Sequence, residues 1–450
     1  MKLTVFQSDK GDCLLLRGAD GRMMLVDGGM SASYSQHVAP ALGRLRDNGE
    51  VIDVVYVSHI DQDHISGVLQ LMNDEVAWRI HEFAQANSNT HKKPPEARRP
   101  PEVKAIWHNA FHEQVKDNKG EIEDMLAASA AILSGSENKS VKELASEQAE
   151  LVTSIAEAIQ LSRRVSPDQL GIKLNPPAKG KLMLVRDSPG STIKIGGMIF
   201  SIIGPFSTEL KKLRDEWDEW LKNNKKKLKS IQKRAEDDAG KFSVREIGEI
   251  IMPKLRQAEE LSSLLPLATK TAKFKLGERK KVTTPNLASL MLFANENGKT
   301  LLLTGDGHHE DIINGLKHIN KLKDTGGLHV DVLKVPHHGS EHNLDEAFCR
   351  RVTADHYVFC GNGEHENPDL RVIQALVDSR LSTDPAVRSG NKQAGNPFKL
   401  WFNSSEKATE KDEAKAHMRE VESLVRTRAK GSGGQMSFFF LGGSSFDLQV

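Results

Sequence analysis

The chain has 450 residues, 38% hydrophobic and 27% charged, so a sizeable core can be buried. Its 62 basic and 61 acidic residues give a formal charge of +1, which excludes a wholesale polyanion-binding coat and leaves room for local basic patches. Three cysteines without CxxC spacing (Cys13, Cys349 and Cys360) provide no disulfide framework and suit a reducing compartment. The start lacks a signal-peptide core and no apolar stretch is long enough to cross a bilayer, so a cytoplasmic soluble protein is expected.

In chain order, KLTVF, CLLLR and RMMLVD predict strands, the last two joined by the turn GADG. A helical stretch follows around VAPALGRLRDNG. VIDVVYVS, residues 51–58, is β-branched and apolar at nearly every position, the pattern of a strand buried on both faces. DHISGVLQLM reads as a helix with Asp63 as its N-cap. EVKAIWHN is a further strand. Across residues 111–165, Val141, Leu144, Leu151, Val152, Ile155 and Ile159 recur at helical spacing. STIKIGGMIFSIIGP reads as a strand hairpin, and residues 207–271 as an amphipathic helical hairpin with a solvated, lysine-rich face. Strand signals resume in LASLMLFA, TLLLTGD, VDVLKVPHHGS and DHYVFCGN. The helix PDLRVIQALVD and the strand-like tail MSFFFLGGSSFDLQV come next. Residues 87–101 and 381–397 read as loops, and no internal repeat is visible.

The chemistry concentrates in YVSHIDQDHISGV, where His59, Asp61, Asp63 and His64 crowd into the loop after a buried strand. His59 and Asp61 can point to one side of an extended loop, and Asp63 and His64, at the start of a helix, to a second centre. Imidazole with carboxylate suits Zn²⁺ or a harder ion such as Mn²⁺. Two cations need more ligands than one loop supplies, and the chain offers them at two further strand ends, Asp306 in TGD and His337 and His338 in HHGS. Taken singly, Asp306 would read as an Asx turn and the loop as a polar helix cap.

The order HxDxDH, TGD, HHGS resembles the metallo-β-lactamase superfamily, and more closely its ComEC-type competence (DNA-uptake) branch. QSDKGDCLLLRGADGRMMLVDGG and NLASLMLFANENGKTLLLTGD are similar to segments of that branch. The likeness covers residues 1–70 and 285–375. It implies an α/β fold, a four-layer αββα sandwich with a helical insertion in the middle of the chain. Residues 1–110 would form its first half, 111–280 a mostly helical insertion with core strands at about 181–206, and 281–450 the second half with a C-terminal extension. The resemblance implies metal ligation by His59 and Asp61 at one cation and by Asp63, His64 and His337 at the other. Asp306 would bridge them and Asp27 would orient the ligand loop. It leaves His338 to contact the transition state or to orient its neighbour.

Asp61 stands where the commonest superfamily motif has histidine, which makes the first site harder. The family's middle histidine ligand is missing, since no histidine occurs at residues 113–307. His108 is its best substitute, His112 a weaker one, and Asn286 an alternative occupant; His108 reads equally as a structural histidine. His365 lies near the place of a late family histidine, while His308, His309 and His342 flank the motifs. The expected chemistry is metal-assisted hydrolysis with two divalent cations (Zn²⁺ or Mn²⁺). Asp63 would orient the attacking water or carry its proton, and His338 or His108 would protonate the leaving oxygen. The expected activity is that of a phosphodiesterase or nuclease with DNA or RNA as substrate. The alternatives are hydrolysis of a small phosphodiester, thioester or lactam, or a scaffold that binds a protein partner through its helical insertion.

Overall fold

Two mixed sheets carry the architecture. The first contains β1 (Lys2–Phe6), β2 (Leu14–Arg17), β3 (Met23–Val26), β4 (Val54–Val57), β5 (Ala105–His108) and β6 (Lys173–Leu174), adjacent in that order. The second runs β7 (Ile193–Ile195), β8 (Met198–Gly204), β9 (Met291–Glu296), β10 (Lys299–Leu303), β11 (Leu328–Lys334), β12 (Val352–Phe359), β13 (Phe398–Phe402) and β14 (Met436–Phe440). The last strand, β15 (Ser445–Gln449), returns to the first sheet and pairs antiparallel with β1. The computed structural model describes residues 1–87, 93–109, 157–158, 160–188, 190–207, 276–279, 286 and 288–450. His112, the apolar positions read as helical from Val141 to Ile159, and nearly all of residues 207–271 lie outside these.

Alternation along the strands creates three apolar layers. Leu3, Leu14, Met24, Tyr56 and Trp107 of the first sheet meet Phe200, Leu292, Leu301, Val332 and Val358 of the second. Leu25, Val55, Val57 and Ile106 turn outward onto Ile65, Val68 and Met72 of the helix Gln62–Ala86 and onto Leu42 of the helix Ala39–Asp47. Leu302, Leu333 and Phe359 turn outward onto the helices His309–His318, Leu370–Leu381 and Asp412–Lys430, through Ile312, Ile373 and Val421 among others. Each sheet therefore has one face on the other sheet and one under helices, the αββα order expected from the sequence.

The two sheets share a polarity that matters for the site. β3 to β6 are mutually parallel, as are β10 to β14. The loops that leave β3, β4, β10 and β11 carry Asp27, His59 to His64, Asp306, and His337 with His338. Parallel strands deliver such loops to one edge.

One local expectation needs correction. Gln62 is the first helical residue and Asp61 the N-cap, so Asp63 sits in the first turn and does not cap. The chain stays extended through Asp61 (ψ 145°), which delays the helix. The helix Asp412–Lys430 was not anticipated, because its buried Ala414, Met418, Val421 and Val425 are spread among charged residues.

Candidate metal centre

The ligand loop is fixed before any side chain is considered. Gly28 and Gly67 bring two backbones into contact: a Cβ on Gly67 would lie 2.0 Å from the Gly28 carbonyl oxygen. Gly28 N–H donates to His64 O at 2.8 Å and Gly67 N–H to Gly29 O at 2.9 Å. The start of the helix Gln62–Ala86 is thereby seated on the loop after β3. Asp27, the last residue before that glycine pair, accepts from Ser58 N–H (2.7 Å) and Ser58 Oγ–H (2.8 Å) and faces His64 Nδ1 at 3.0 Å.

The second sheet supplies the other half. Asp306 follows β10 through Thr304 and Gly305, and Gly305 takes the left-handed conformation (φ 49°) beside Ser58. His337 N–H donates to Gly305 O at 3.1 Å, which ties the two ligand loops together. His337 and His338 are both left-handed (φ 46° and 54°), a sparsely populated region for non-glycine residues that holds their rings in place at a local energetic cost.

Four imidazole Nε2 atoms converge on the Asp306 carboxylate: His64 at 3.3 Å, His338 at 3.4 Å, and His59 and His337 each at 3.6 Å. Each ring is held from behind by Nδ1. Ser58 Oγ faces His59 Nδ1 at 3.0 Å and Asp27 faces His64 Nδ1. Asn343 Oδ1 and the Cys360 carbonyl, both at 2.6 Å, face the Nδ1 atoms of His337 and His338. With Nδ1–H donating in every case, Nε2 is left as a lone-pair acceptor. Among the described residues, Nε2 of His59, His64 and His338 and Oδ1 of Asp306 are buried without a hydrogen-bond partner. Orphaned lone pairs aimed at one another are unfavourable unless a cation lies between them, so the donor set fits a metal.

Two carboxylates extend the cluster. Asp63 Oδ2 stands 3.1 Å from His338 Nε2, and Asp61 Oδ2 stands 3.4 Å from His59 Nε2. Asp12 also belongs to the group, since Asp12, His64, Asp306 and His338 each offer an atom within 4.8 Å of the others. Its position differs, however. Asp12 faces the Nδ1 side of His338 (3.2 Å) and of His64 (3.8 Å), whereas Asp63 and Asp306 face the Nε2 side of both rings.

The electrostatics favour positive charge at this point. Burial alone would push the Asp306 carboxyl up, but His338, His64, His337 and His59 together hold it well below the usual carboxylate range. Burial likewise opposes charge on His64 and His338, yet Asp306 and the neighbouring carboxylates hold both well above the usual histidine value. His337 differs: burial prevails and lowers it.

The residues named from sequence fall as follows. His59, Asp61, Asp63, His64, Asp306, His337 and His338 come together. The two adjacent histidines exchange the positions expected of them: His338 lies against Asp63 and His64, while His337 lies on the more open side, beside Asn286 Nδ2 at 3.4 Å. His108 ends β5 in register with Val57, one strand from the ligand loop, its backbone held by the Asn175 side chain. His308 is a buried helix cap: Nδ1 accepts from Glu310 N–H at 3.3 Å and Nε2 faces Gly277 O at 3.1 Å. Burial and His309 lower it to about 3, as a neutral cap requires. His365 is exposed. Asp12, Lys334 and Asn343 are members of the cluster that the sequence motifs do not single out; for Lys334 the signal is a lone lysine at the end of the strand before HHGS.

Residues 9–124 match the family model of the metallo-beta-lactamase superfamily. That match covers β2 to β5 with the His59–His64 loop, and the two sheets and their helices form an α/β sandwich of the metallo-β-lactamase type. No curated protein matches the chain. No helix among the described residues is long and apolar enough to cross a membrane.

Proposed function

We propose that the chain is a metal-dependent hydrolase that binds two divalent cations and cleaves phosphodiesters, with nucleic acid as its substrate. The observation that carries this reading is the convergence of four anchored Nε2 atoms on Asp306. Charge supports the number of cations. Asp12, Asp27, Asp61, Asp63 and Asp306 bring five negative charges and Lys334, in contact with Asp12, one positive, so two divalent cations restore neutrality.

In this reading Asp63, His64 and His338 would hold one cation and His59 and Asp61 the other, with the Asp306 carboxylate between the two sets. Such cations supply Lewis acidity, which activates water and neutralises charge on a substrate oxygen. The chain does the rest. Asp63, 17% exposed, receives the proton of the attacking water. His337, at 25% the most exposed of the four histidines, contacts the substrate through Nε2 and orients it. Asn343 keeps its ring in the orientation for this. Asp61 in place of a histidine hardens the His59–Asp61 site toward Mn²⁺ and phosphate oxygens. Nucleic acid is favoured over other phosphodiesters by the motif order shared with the competence branch.

The test is an assay of the purified chain with Mn²⁺ or Zn²⁺ against single- and double-stranded DNA, RNA and bis-p-nitrophenyl phosphate, beside Asp306→Ala. Cleavage by the wild type and its loss in the variant are expected. Turnover of nitrocefin or a thioester with no phosphodiester cleavage would overturn the substrate class. Failure to bind metal would overturn the whole reading.

A further inference from the structure

Beneath the metal centre lies a buried ion pair that none of these roles uses. Lys334, the last residue of β11, is 2% exposed and forms an ion pair with Asp12 Oδ2. Its Nζ also donates to Gly305 O at 3.1 Å and stands 3.7 Å from Asp306 Oδ1. Asp12 comes from the other sheet, on the turn between β1 and β2. That turn can approach because Gly11 has no side chain: a Cβ there would lie 1.8 Å from the Asp63 carbonyl oxygen. Asp12 N–H donates to that same carbonyl at 3.2 Å. The other Asp12 oxygen, Oδ1, lies 3.2 Å from His338 Nδ1, whose N–H goes to the Cys360 carbonyl at 2.6 Å.

Taking two charges out of water costs several kcal/mol for each ion, and apolar residues of the same volume would pack there at no such cost. The two residues touch the ligand-bearing segments at three places: the backbone carbonyls of Asp63 and Gly305 and the ring of His338. We propose that Lys334 and Asp12 are positioning residues, a clamp between the sheets that aims His338 Nε2 and the Asp306 loop and so sets the affinity of the Asp63–His64–His338 cation. The ammonium offsets the Asp12 charge, so Asp12 orients the ligands without becoming one. The clamp rests on the two-cation reading and adds to it a specific division: it governs one cation and leaves the other to His59 and Asp61.

Lys334→Met alone strands a buried carboxylate and endangers folding, so the informative variant is Asp12→Asn/Lys334→Met, which removes both charges together. Mn²⁺ titration followed by electron paramagnetic resonance, with calorimetric affinities, reads the outcome. Wild type is expected to give the coupled spectrum of a dinuclear centre. The folded double variant is expected to lose affinity about 10–100-fold at one site and to show the six-line spectrum of a single Mn²⁺ at the same metal concentration. Asp12→Asn alone, which leaves Lys334 uncompensated, is expected to lose at least as much. Two Mn²⁺ bound with wild-type affinity and coupling in the double variant would overturn the clamp and leave the two-cation reading intact. A wild type that binds no Mn²⁺ would overturn both.

Discussion

Asp306 Oδ1 stands 3.3 Å from His64 Nε2, although one residue follows a strand of the second sheet and the other opens a helix packed on the first. The contact exists because both sheets send their parallel strands to the same edge. It makes the site a joint between two halves of the chain, and the variants most useful for testing it are those that loosen one side at a time.

Asp27 holds the first side. It anchors Ser58 by two hydrogen bonds and His64 by a third contact. Asp27→Asn keeps the size and removes the charge, and one amide N–H would then point at a donor. Metal affinity and turnover are each expected to fall about 10–100-fold, with a small change in melting temperature. Calorimetric metal titration beside steady-state kinetics measures this. Unchanged affinity would remove Asp27 from the support of the ligand loop.

Variants at His337 and His338 are expected to separate binding from chemistry. His338→Ala removes a buried ring that faces Asp63, and the variant is expected to lose one tightly held cation. His337→Ala removes the more accessible ring and is expected to keep both cations while kcat falls about 100-fold through lost substrate orientation. Metal content by mass spectrometry, set beside kcat, decides between them. The opposite pattern would restore His337 as the ligand.

Gly67 tests the backbone seat. Alanine favours a helix over glycine by about 1 kcal/mol, so on propensity alone Gly67→Ala would stabilise the chain. The added Cβ would meet the Gly28 carbonyl oxygen at 2.0 Å, within the docked backbone. A net loss of about 1–3 kcal/mol is expected from overpacking, together with weaker metal binding. Denaturant unfolding measures the first and titration the second. A stabilised variant with intact affinity would show that the close approach does not hold the loop.

Asp369 gives the fold a pH dependence of defined sign. Its carboxylate accepts from Glu341 N–H at 2.7 Å, in the stretch after HHGS. Burial, reinforced by the charges of Glu341 and Glu366, raises it to about 7. The folded chain then keeps a proton that the unfolded chain, with an ordinary aspartate near 3.9, has already released. Its contribution is therefore complete at low pH, declines as pH rises from about 4 to about 7, and is flat above that. Asp369→Asn cannot ionise and retains an acceptor. Relative to wild type the variant is expected to gain roughly 1–3 kcal/mol across that window, allowing for partial exposure. Melting curves from pH 4.5 to 8.5 check this, and parallel curves would contradict it.

Much of the fold and of the ligand cluster could be read in the residues themselves. VVYV is buried at every position, and its place before the ligand loop marked the loop as a strand end. TGD and HHGS followed runs of the same kind. What could not be read is what depends on direction and on distance across the sheets. His337 and His338 are neighbours, and only their left-handed backbone decides which ring enters the buried cluster. Asp12 and Lys334 lie in different sheets, so their pairing is invisible along the chain. The helix Asp412–Lys430 did carry a signal, its four buried residues spaced four, three and four apart, but charge outnumbers them.

The most direct test of the central claim is anomalous scattering from crystals of the chain grown with Mn²⁺. The account predicts two anomalous peaks flanking the Asp306 carboxylate, one against His64 and His338 and one against His59 and Asp61. Crystals in which Asp306 is ordered and no peak lies within coordination distance of it would contradict the account.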